Sequence, residues 1–423
     1  MFIVDSGFEM TMGFLEECIG KHKADHVRYN KLKNYYEGTH AILGKENKAK
    51  YKPDNRIVAN FAKYIVDTFN GFFIGVPLKE RHSVEEVNTY LAFVNKYNNQ
   101  DDNNAELSKL CSIYGHAYEM VYIDGSGALG VTYINPMEAF VIYDNSIVGR
   151  PAYGVRYFNN TQGVMEGSYS DANYIYYFRQ SDAGGLVFDR EPQPHLFGDI
   201  PIIEYVENAE RTGIFEPVLS LIDGYNKALS EKANDVDYFA DAYMKVLGAE
   251  VDSETLKSLR DDRIINLFGE DVEKLIVEFM EKPNADGVQE NLIDRLEKLI
   301  FQISMVINVN DDSFGTQSGI ALKYKMTNME NLGMMKERKF TAGLNRRYKM
   351  IANTGLTPLK GDDWVGINFT FTRNYPANLL EESEIAKNLN GVTSKETALS
   401  VLSVVKNAGD EVQRIKEEGE SGV

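Results

Sequence analysis

The spacing of hydrophobic positions changes twice along the chain, at about residues 115 and 210. Before the first change, apolar residues recur every three or four positions, as on one face of an α-helix. From His116 to about residue 206 they alternate with polar residues, and turn residues recur about every ten positions. After the second change, the helical spacing returns over long segments. The pattern therefore predicts an α+β protein with helices on both sides of an antiparallel β-meander.

The first 115 residues are predicted to contain three helices. Residues 1–50 are polar and mixed, and their periodicity is too weak to assign an element. A helix is predicted to follow Asp54, which can cap it. Two further helices are predicted on either side of an asparagine-rich loop at residues 95–104.

Two long helices with an insert between them are predicted after the meander. The first covers residues 217–248 and the second residues 286–307, each with an apolar stripe at helical spacing. Residues 249–285 predict a small acidic α/β insert, with strands at 263–268 and 273–280.

A third long helix is predicted over residues 319–351, after a polar loop at 308–318. This helix contains eight basic and two acidic residues, a net charge of +6 in a chain with a formal net charge of −18. A strand at 364–372 and three short helices follow it. On a helical wheel, six of the basic residues lie opposite the apolar stripe: Lys325, Lys336, Arg338, Lys339, Arg346 and Lys349.

The composition excludes several classes of protein. With 45 Lys and Arg against 63 Asp and Glu in 423 residues, the chain is too acidic to hold nucleic acid by general phosphate neutralisation or to adhere to anionic membranes. Its two cysteines exclude a disulfide scaffold and a cysteine-based zinc site. The first twenty residues carry four acidic residues and no Lys or Arg, which predicts no signal peptide. We expect a soluble protein of a reducing compartment.

Two motifs resemble binding loops, but each has a simpler interpretation. Residues 125–130 have the glycine spacing of a dinucleotide fingerprint, but a strand follows where that fingerprint needs a helix, so a hairpin is favoured. Asn308, Asn310 and Asp312 resemble the start of a calcium loop. The glycine and the glutamate that such a loop needs are missing, so a flexible acidic loop is favoured.

The other candidate residues also favour structural roles. His22 and His26 are four residues apart but lack a third ligand, which indicates a solvated helix face. Gly361-Asp362-Asp363 is typical of a turn, and Cys111 lies on an apolar helix face. The sequence contains no phosphate-binding P-loop and no nucleophile elbow. It predicts no catalytic residue, no metal site and no cofactor.

Three stretches of the sequence, taken in order, carry a family resemblance. The first contains Asn55-Arg56-Ile57-Val58-Ala59-Asn60 and Gly75-Val76-Pro77, the second Phe197-Gly198-Asp199-Ile200-Pro201, Asn226, Ser230 and Asn234-Asp235, and the third Ser318-Gly319-Ile320-Ala321-Leu322-Lys323, Arg373-Asn374-Tyr375-Pro376 and Thr393-Ser394-Lys395-Glu396. Together they resemble the portal proteins of tailed bacteriophages, of the type found in siphophages of Gram-positive hosts. The resemblance covers roughly residues 50 to 419.

The resemblance implies a portal fold with a β-rich wing, long stem helices, a small clip, a tunnel loop and a short crown. On this sequence the parts are an N-terminal segment (1–50), the wing (51–215), the first stem helix (216–248), the clip (249–285), the second stem helix (286–307), the tunnel loop (308–318), the long helix (319–355), a wing strand (356–378) and the crown helices (379–423).

The resemblance also implies a function and a set of partners. Portal subunits form a ring, usually of twelve, at one vertex of the capsid, where they contact major capsid and scaffolding proteins. The terminase docks on the clip and packages double-stranded viral DNA through the channel, and a head-completion protein later takes its place before the genome is ejected. The implied locations are the virion and, during assembly, the host cytoplasm. Neither an enzymatic activity nor a membrane is implied.

The resemblance assigns residues to three sites. The tunnel loop that lines the DNA channel would contain Asn308, Asn310, Asp311, Asp312, Ser313, Phe314, Gly315, Thr316, Gln317 and Ser318. Basic residues facing the channel would be Lys323, Lys325, Lys336 and Lys339. The clip surface that docks the terminase or an adaptor would include Asp261, Asp262, Glu270, Asp271 and Glu273.

An alternative from another class is an intracellular enzyme with an antiparallel β domain and a helical domain. Its active site would be built from residues too dispersed to recognise in the sequence. The two hypotheses differ in assembly, because a portal protein requires a large ring with an axial channel, whereas the enzyme predicts a small oligomer with a pocket. Native mass or particle images distinguish them.

Overall fold

The computed structural model describes residues 1–49, 52–240, 244–247, 276–279, 286–309, 319–374, 379–402, 404–405 and 408–421. The chain forms two compact units. The first contains Met1–Glu37, Ala62–Pro217 and Phe301–Val423, and the second contains Gly38–Phe61 and Val218–Ile300. The predicted α+β class is confirmed, because both units combine helices with β-structure.

Four helices form the N-terminal part of the first unit: α1 (Met12–Glu37), α2 (Phe61–Ile74), α3 (Glu85–Tyr97) and α4 (Gln100–Tyr114). Helix α1 lies in a region where the sequence predicted no clear element. Its buried face includes His22 and Tyr29 beside Leu15 and Ile19, so polar side chains occupy positions where an apolar stripe would be read. Helix α2 begins at Phe61, later than predicted.

The predicted meander is divided between two sheets. The larger has the order β1-β5-β6-β7-β8-β10, with β9 paired to β8, and only β1 runs parallel to its neighbour. Its strands are β1 (Phe2–Val4), β5 (Ala139–Asp144), β6 (Pro151–Asn159), β7 (Met165–Ser170), β8 (Tyr174–Gln180), β9 (Leu186–Phe188) and β10 (Gln193–Pro194). Helix α1 packs on this sheet through Leu15, Cys18 and Ile19.

A second, three-stranded sheet has the order β11-β3-β4 and is antiparallel, with strands β3 (His116–Ile123), β4 (Leu129–Ile134) and β11 (Ile202–Val206). Strand β4 is at the edge of this sheet, and two asparagines bind its backbone. Asn98 lies between α3 and α4, and Asn103 lies in α4. Asn98 accepts from Val131 N at 2.8 Å and donates to Leu129 O at 3.1 Å, and Asn103 donates to Val131 O at 3.1 Å. The asparagine-rich segment is therefore a cap on an edge strand and not the long loop predicted.

The C-terminal part of the first unit is built on helix α7 (Gly319–Asn353). Its last turns pack through Tyr348 and Ile351 against Val87 and Leu91 of α3. The strand expected at 364–372 is present as β14 (Asn368–Thr370), which pairs antiparallel with β2 (Lys79–Arg81). Three short helices follow, α8 (Leu379–Leu389), α9 (Lys395–Leu399) and α10 (Ala408–Ser421). The side chain of Ser394 caps α9 by accepting a hydrogen bond from Thr397 N.

The second unit contains the two helices predicted as the stem, α5 (Leu219–Ala240) and α6 (Asp286–Ser304). The last four residues of α6 belong to the first unit. Helix α5 ends earlier than the predicted residue 248, because β12 (Met244–Leu247) pairs antiparallel with β13 (Ile276–Phe279). β-Branched Val246 and Val277 face each other in this ladder and favour the strand. Strand β13 confirms the prediction at 273–280, whereas the one at 263–268 lies outside the described residues.

Residues 55–59 form an extended segment that runs alongside α5. A ladder of hydrogen bonds joins the backbone of this segment to side chains of α5. The backbone N–H groups of Ala59, Ile57 and Asn55 donate to Asn226 Oδ1 at 2.8 Å, Ser230 Oγ at 2.9 Å and Asn234 Oδ1 at 2.6 Å, respectively. Alternate residues of an extended chain are about 6.6 Å apart and every fourth helical residue about 6 Å apart, so the two repeats nearly match. The ladder explains why this segment is extended and not the start of a helix.

Candidate channel and docking segments

Helix α7 is the described element that carries the predicted channel residues. Its predicted apolar stripe is confirmed, because these side chains are at most 3% exposed: Met326, Met329, Phe340, Leu344, Tyr348 and Ile351. The helix therefore has one face fixed in the core of the first unit. Whether the rest of the helix surface could contact DNA depends on which of its basic side chains are exposed.

Lys336 is buried, which corrects the prediction that it faces a channel. Its ammonium group donates to Ser108 O at 2.9 Å and to Ser112 Oγ at 2.7 Å, and it forms an ion pair with Glu207 Oε2 at 2.7 Å. The side chain is 1% exposed and lies over the rings of Phe69 and Phe73. This lysine holds α7 against α4, since a buried ammonium requires a counter-ion and hydrogen-bond acceptors.

Arg347 forms a second buried ion pair that the sequence did not predict. Its guanidinium donates to both carboxylate oxygens of Glu119, with Nε to Oε2 at 2.9 Å, and Nη2 also donates to Asn104 Oδ1 at 2.8 Å. Both charged side chains are at most 1% exposed. Burial opposes the charge on Arg347, but Glu119 outweighs burial and raises the pKa of the guanidinium well above its usual value.

A second carboxylate, Glu80 of β2, lies at the same cluster. Its Oε1 is 3.9 Å from Arg347 Nη1, and its Oε2 accepts from Tyr348 Oη at 2.5 Å and from Asn95 Nδ2 at 2.9 Å. Burial raises the pKa of Glu80 above its usual value, and Arg347 only partly offsets this effect. Arg347 thereby connects α7 to β2, β3 and α4, and Glu80 extends the cluster to α3 through Asn95.

Two partly buried ion pairs also hold α7. Arg346 donates to Asp199 Oδ1 at 2.8 Å, and Arg373 Nη2 donates to Glu337 Oε2 at 2.6 Å. Arg373 also lies over the ring of Phe73, 5.2 Å from its centre. Asp199 and Arg373 both belong to the stretches that carry the family resemblance, and their contacts give those residues a structural role.

Four basic side chains of α7 remain exposed in the described structure: Lys325, Arg338, Lys339 and Lys349. Two of the predicted channel-facing residues, Lys325 and Lys339, are therefore on the surface of the subunit. The backbone of Lys323 lies in α7, and its side chain is outside the described residues. The structure thus divides the basic residues of α7 into internal anchors and an exposed set.

The predicted tunnel loop is described only at its start. The chain leaves α6 at Met305, which has a positive φ of 60°, and Val309 N donates to Tyr64 Oη at 2.8 Å. Asn308 is half-buried, and the other tunnel-loop residues, from Asn310 to Ser318, lie outside the described residues. All five predicted clip residues, Asp261, Asp262, Glu270, Asp271 and Glu273, also lie outside them.

Helix α1 contributes a third polar cluster to the interior. His22, which the sequence placed on a solvated face, is 2% exposed, and its Nδ1 is 2.7 Å from Tyr157 Oη. Burial, together with nearby His26, lowers the pKa of His22 to about 3.

A further buried carboxylate, Glu204 of β11, is held by two basic side chains. Arg211 donates to both oxygens of Glu204, and His116 Nδ1 is 2.8 Å from Glu204 Oε1. Burial opposes the charge on Glu204, but these partners hold its pKa below the usual value.

The described residues form neither a metal-binding cluster nor a membrane-spanning helix. No group of three or more His, Cys, Asp and Glu side chains is arranged to hold a metal ion there. Among the same residues, no helix is both long and apolar enough to cross a membrane. Cys111 is buried, as predicted, and burial raises its pKa.

Comparisons with known proteins cover most of the chain. The family model described as phage portal protein, SPP1 Gp6-like, matches residues 15–422. The portal protein of Bacillus phage SPP1 is 24% identical over 422 residues, which cover 92% of this chain and 80% of that protein. The portal protein of Clostridium phage phiCD119 is 25% identical over 415 residues, covering 89% of this chain and 90% of the relative. A chain in the neck of an empty GTA particle, computed with C6 symmetry, is 12% identical with a TM-score of 0.49, covering 80% of this chain and 89% of that one.

Proposed function

The chain belongs to the SPP1 Gp6-like family of phage portal proteins, and we propose that it forms a ring whose axial channel passes double-stranded viral DNA. Its role as a viral portal protein, a component of the phage capsid, follows from that membership. The family is structural. Beyond the family and the portal role, we propose that the ring passes DNA, that the terminase docks on it, and which residues make these contacts.

The observation that carries the DNA-channel proposal is the division of basic residues on α7. Lys336 and Arg347 anchor the helix through buried ion pairs, while Lys325 and Lys339 are exposed. A rigid helix with a few exposed cations suits a duplex that must slide, because a continuous basic groove would trap phosphates. The net charge of −18 supports the same reading, since the surrounding protein repels DNA.

The parts of the ring are proposed from the family resemblance. Residues 308–318 would be the tunnel loop, and 249–285 would be the clip that docks first the terminase and then a head-completion protein. We propose Lys323, Lys325 and Lys339 as the channel-facing cations and omit Lys336. Twelve subunits, the usual number in the family, are expected.

Native mass spectrometry and particle images of the purified full chain test the ring. The expected result is a closed ring with an axial channel. A monomer or a small oligomer with no channel would contradict the proposal and favour the alternative of an intracellular enzyme. Since the family is structural, we also expect no ATP hydrolysis without terminase, and turnover by terminase-free rings would overturn that expectation.

A packaging assay tests the channel residues. The double variant Lys325→Gln/Lys339→Gln is expected to form rings normally but to change the rate of DNA packaging and to make that rate less sensitive to salt, because each phosphate contact contributes to the salt dependence. Lys360→Gln, an exposed lysine outside α7, serves as the control. Equal packaging rates for the wild type, the double variant and the Lys360→Gln control at every salt concentration would show that Lys325 and Lys339 do not contact DNA in the channel.

The tunnel loop is tested by length and charge. Shortening residues 308–318 by three or four residues is expected to leave the ring intact and to impair DNA packaging or retention. Replacing Asp311 and Asp312 with Lys is expected to slow translocation in a salt-dependent way, because two repulsive charges become phosphate contacts. Normal filling of capsids by both variants would show that this segment does not touch DNA.

A further inference from the structure

The hairpin between β5 and β6 ends in a tip, residues 144–150, that its own hydrogen bonds hold rigid. Asp144 Oδ1 accepts from Ser146 N at 3.2 Å, Ser146 Oγ at 2.5 Å and Arg150 N at 2.7 Å. Gly149 adopts a positive φ of 61°, which a glycine takes without strain. Asn145 N also donates to Val4 O at 2.9 Å, so the tip is tied to β1. The tip is therefore preorganised.

This rigid tip presents two adjacent branched apolar side chains to solvent. Ile147 is fully exposed, at 107% of the reference area, and Val148 is 76% exposed. A single exposed apolar residue is ordinary, but two on a turn that cannot fold back over them are a surface ready to be buried. Because the turn is already ordered, burying them in a partner would cost little conformational entropy.

A cleft of about 870 Å³ lies between the two sheets of the first unit. Its walls come from β3 and β4 on one side and from β6, β7 and β8 on the other, and the segment around Leu196 also contributes to the lining. Its lining is mixed apolar and polar, and it includes Met120, Thr132, Arg156, Ile175, Tyr177 and Leu196. This volume accommodates two aliphatic side chains together with part of the turn that carries them.

The charges beside the tip and the cleft are complementary. At the tip, the Asp144 carboxylate is occupied by donors of its own turn, and Arg150 is exposed. At the cleft, the guanidinium of Arg156 lies 4.9 Å from the centre of the Phe158 ring, and Glu138 is exposed. Arg150 is near enough to help lower the pKa of Asp144, after the Ser146 hydrogen bond and the turn's backbone donors, and the cleft contains the cation Arg156 as well as the anion Glu138. The Asp144 carboxylate is held by its own turn and Arg156 lies against Phe158, so the exposed charges left for a partner are the cation Arg150 at the tip and the anion Glu138 at the cleft.

We propose that the tip of one subunit enters the cleft of the next subunit in the ring, with Arg150 beside Glu138 of its neighbour. The inference rests on the proposed ring. A closed ring of identical subunits needs two different, complementary surfaces on each subunit. The tip and the cleft lie at opposite ends of β5, which is about 20 Å long. No subunit can therefore fill its own cleft, and each tip links its subunit to a neighbour.

Cysteine cross-linking in the assembled full-length protein tests this contact. Val148→Cys/Leu196→Cys is expected to give, after oxidation, a ladder of covalent species up to the size of the ring, because a head-to-tail contact joins every subunit to the next. The native Cys18 and Cys111 are at most 2% exposed and do not compete. The matched control Val148→Cys/Val27→Cys, with an exposed position on α1 outside the cleft, should give no ladder.

Charge exchange gives an independent readout. Arg150→Glu and Glu138→Arg should each raise the protein concentration needed for half-assembly several-fold, and the double variant should restore it. Ile147→Ser/Val148→Ser should raise it at least about tenfold without changing the melting temperature of the subunit, because both side chains are exposed there. Rings that form without a cross-linked ladder, or that tolerate all these changes, overturn the inference and leave the ring itself standing. A protein that forms no ring refutes the proposed function as well.

Discussion

Helices α7 and α5 are fixed to their surroundings by different chemistry. Helix α7, in the first unit, uses buried ion pairs, Lys336 with Glu207 and Arg347 with Glu119. Helix α5, in the second unit, uses the neutral ladder in which Asn226, Ser230 and Asn234 accept backbone N–H groups of an extended segment. Removing one partner of a buried ion pair leaves an uncompensated charge, whereas removing one rung of a ladder loses a single hydrogen bond. The first arrangement resists any displacement, and the second can lose one contact at a time.

The largest effect is expected from Arg347→Met. The substitution leaves the carboxylate of Glu119 buried without its counter-ion, so it should lower the free energy of unfolding by about 3–5 kcal/mol. Chemical denaturation of the subunit measures this change. Arg338→Met on the exposed face of the same helix is the control, with an expected change below about 0.5 kcal/mol. The pair Arg347→Met/Glu119→Gln should recover part of the loss, and equal costs for Arg338 and Arg347 would show that the buried pair contributes nothing.

Acid should weaken the first unit through His22. The pKa of His22 is about 3 in the folded protein and about 6.5 in an unfolded chain, so between these values the unfolded state binds a proton that the folded state does not. The stability should therefore fall as the pH drops below 6.5, by about 2 kcal/mol between pH 7 and pH 5. The measurement is the free energy of unfolding against pH, with His22→Gln as the comparison. A variant with the same pH dependence as the wild type would rule out this role for His22.

A smaller effect is expected from one rung of the α5 ladder. Ser230→Ala removes the acceptor of the Ile57 N–H and should cost about 1 kcal/mol, the usual net value of one hydrogen bond. Hydrogen exchange at the Ile57 amide should accelerate, while the amides of Asn55 and Ala59 keep most of their protection. Ser220→Ala, at an exposed position of α5, is the control. Simultaneous loss of protection at all three amides would show that the ladder opens as one unit and does not lose its contacts one at a time.

The smallest effect on the isolated subunit is expected from Leu292→Asp on α6. Leu292 is 51% exposed, so the change should cost the single chain less than about 0.5 kcal/mol. In the ring it should weaken assembly, since the exposed apolar stripe of a stem helix is expected to pack against a neighbour. Ile300→Asp, at a fully buried position of the same helix, should instead destabilise the chain by several kcal/mol. Similar melting of the two variants would contradict the difference in burial.

The sequence predicted the elements whose pattern is purely apolar. The alternation after His116, the stripe of α7 and strand β13 all appear close to where the periodicity placed them. Helix α1 was not predicted, because its inward face contains His22, Tyr29 and Tyr35, and His22 and Tyr29 are polar residues that form hydrogen bonds with distant strands. The end of α5 was placed too late for a related reason, since Val246 suits a helical stripe and a strand equally well.

The candidate site divides in the same way. Lys336 was predicted to lie opposite the apolar stripe, although its spacing of seven, four and eight residues from Met329, Phe340 and Leu344 puts it beside that stripe. Its partner Glu207 lies more than a hundred residues away in the sequence, so the pairing itself has no local signal. Arg347 was overlooked because a charged residue in an apolar stripe looks like an interruption. The net charge of +6 on residues 319–351 was a usable signal, yet it could not separate cations that anchor the helix from those that are exposed. That distinction depends on tertiary contacts.

The asparagine cap on strand β4 has a consequence for how the protein survives until it assembles. An uncovered edge strand is a template on which another chain can add its own strand, and such addition has no natural limit. In a ring, many identical edges would be concentrated within a small volume, where this side reaction would compete with correct closure. Asn98 and Asn103 occupy the outward N–H of Val131 and the outward carbonyls of Leu129 and Val131, so an incoming strand cannot pair with this part of β4 without displacing them. Two amide side chains thereby reduce the backbone that β4 offers for strand addition between subunits.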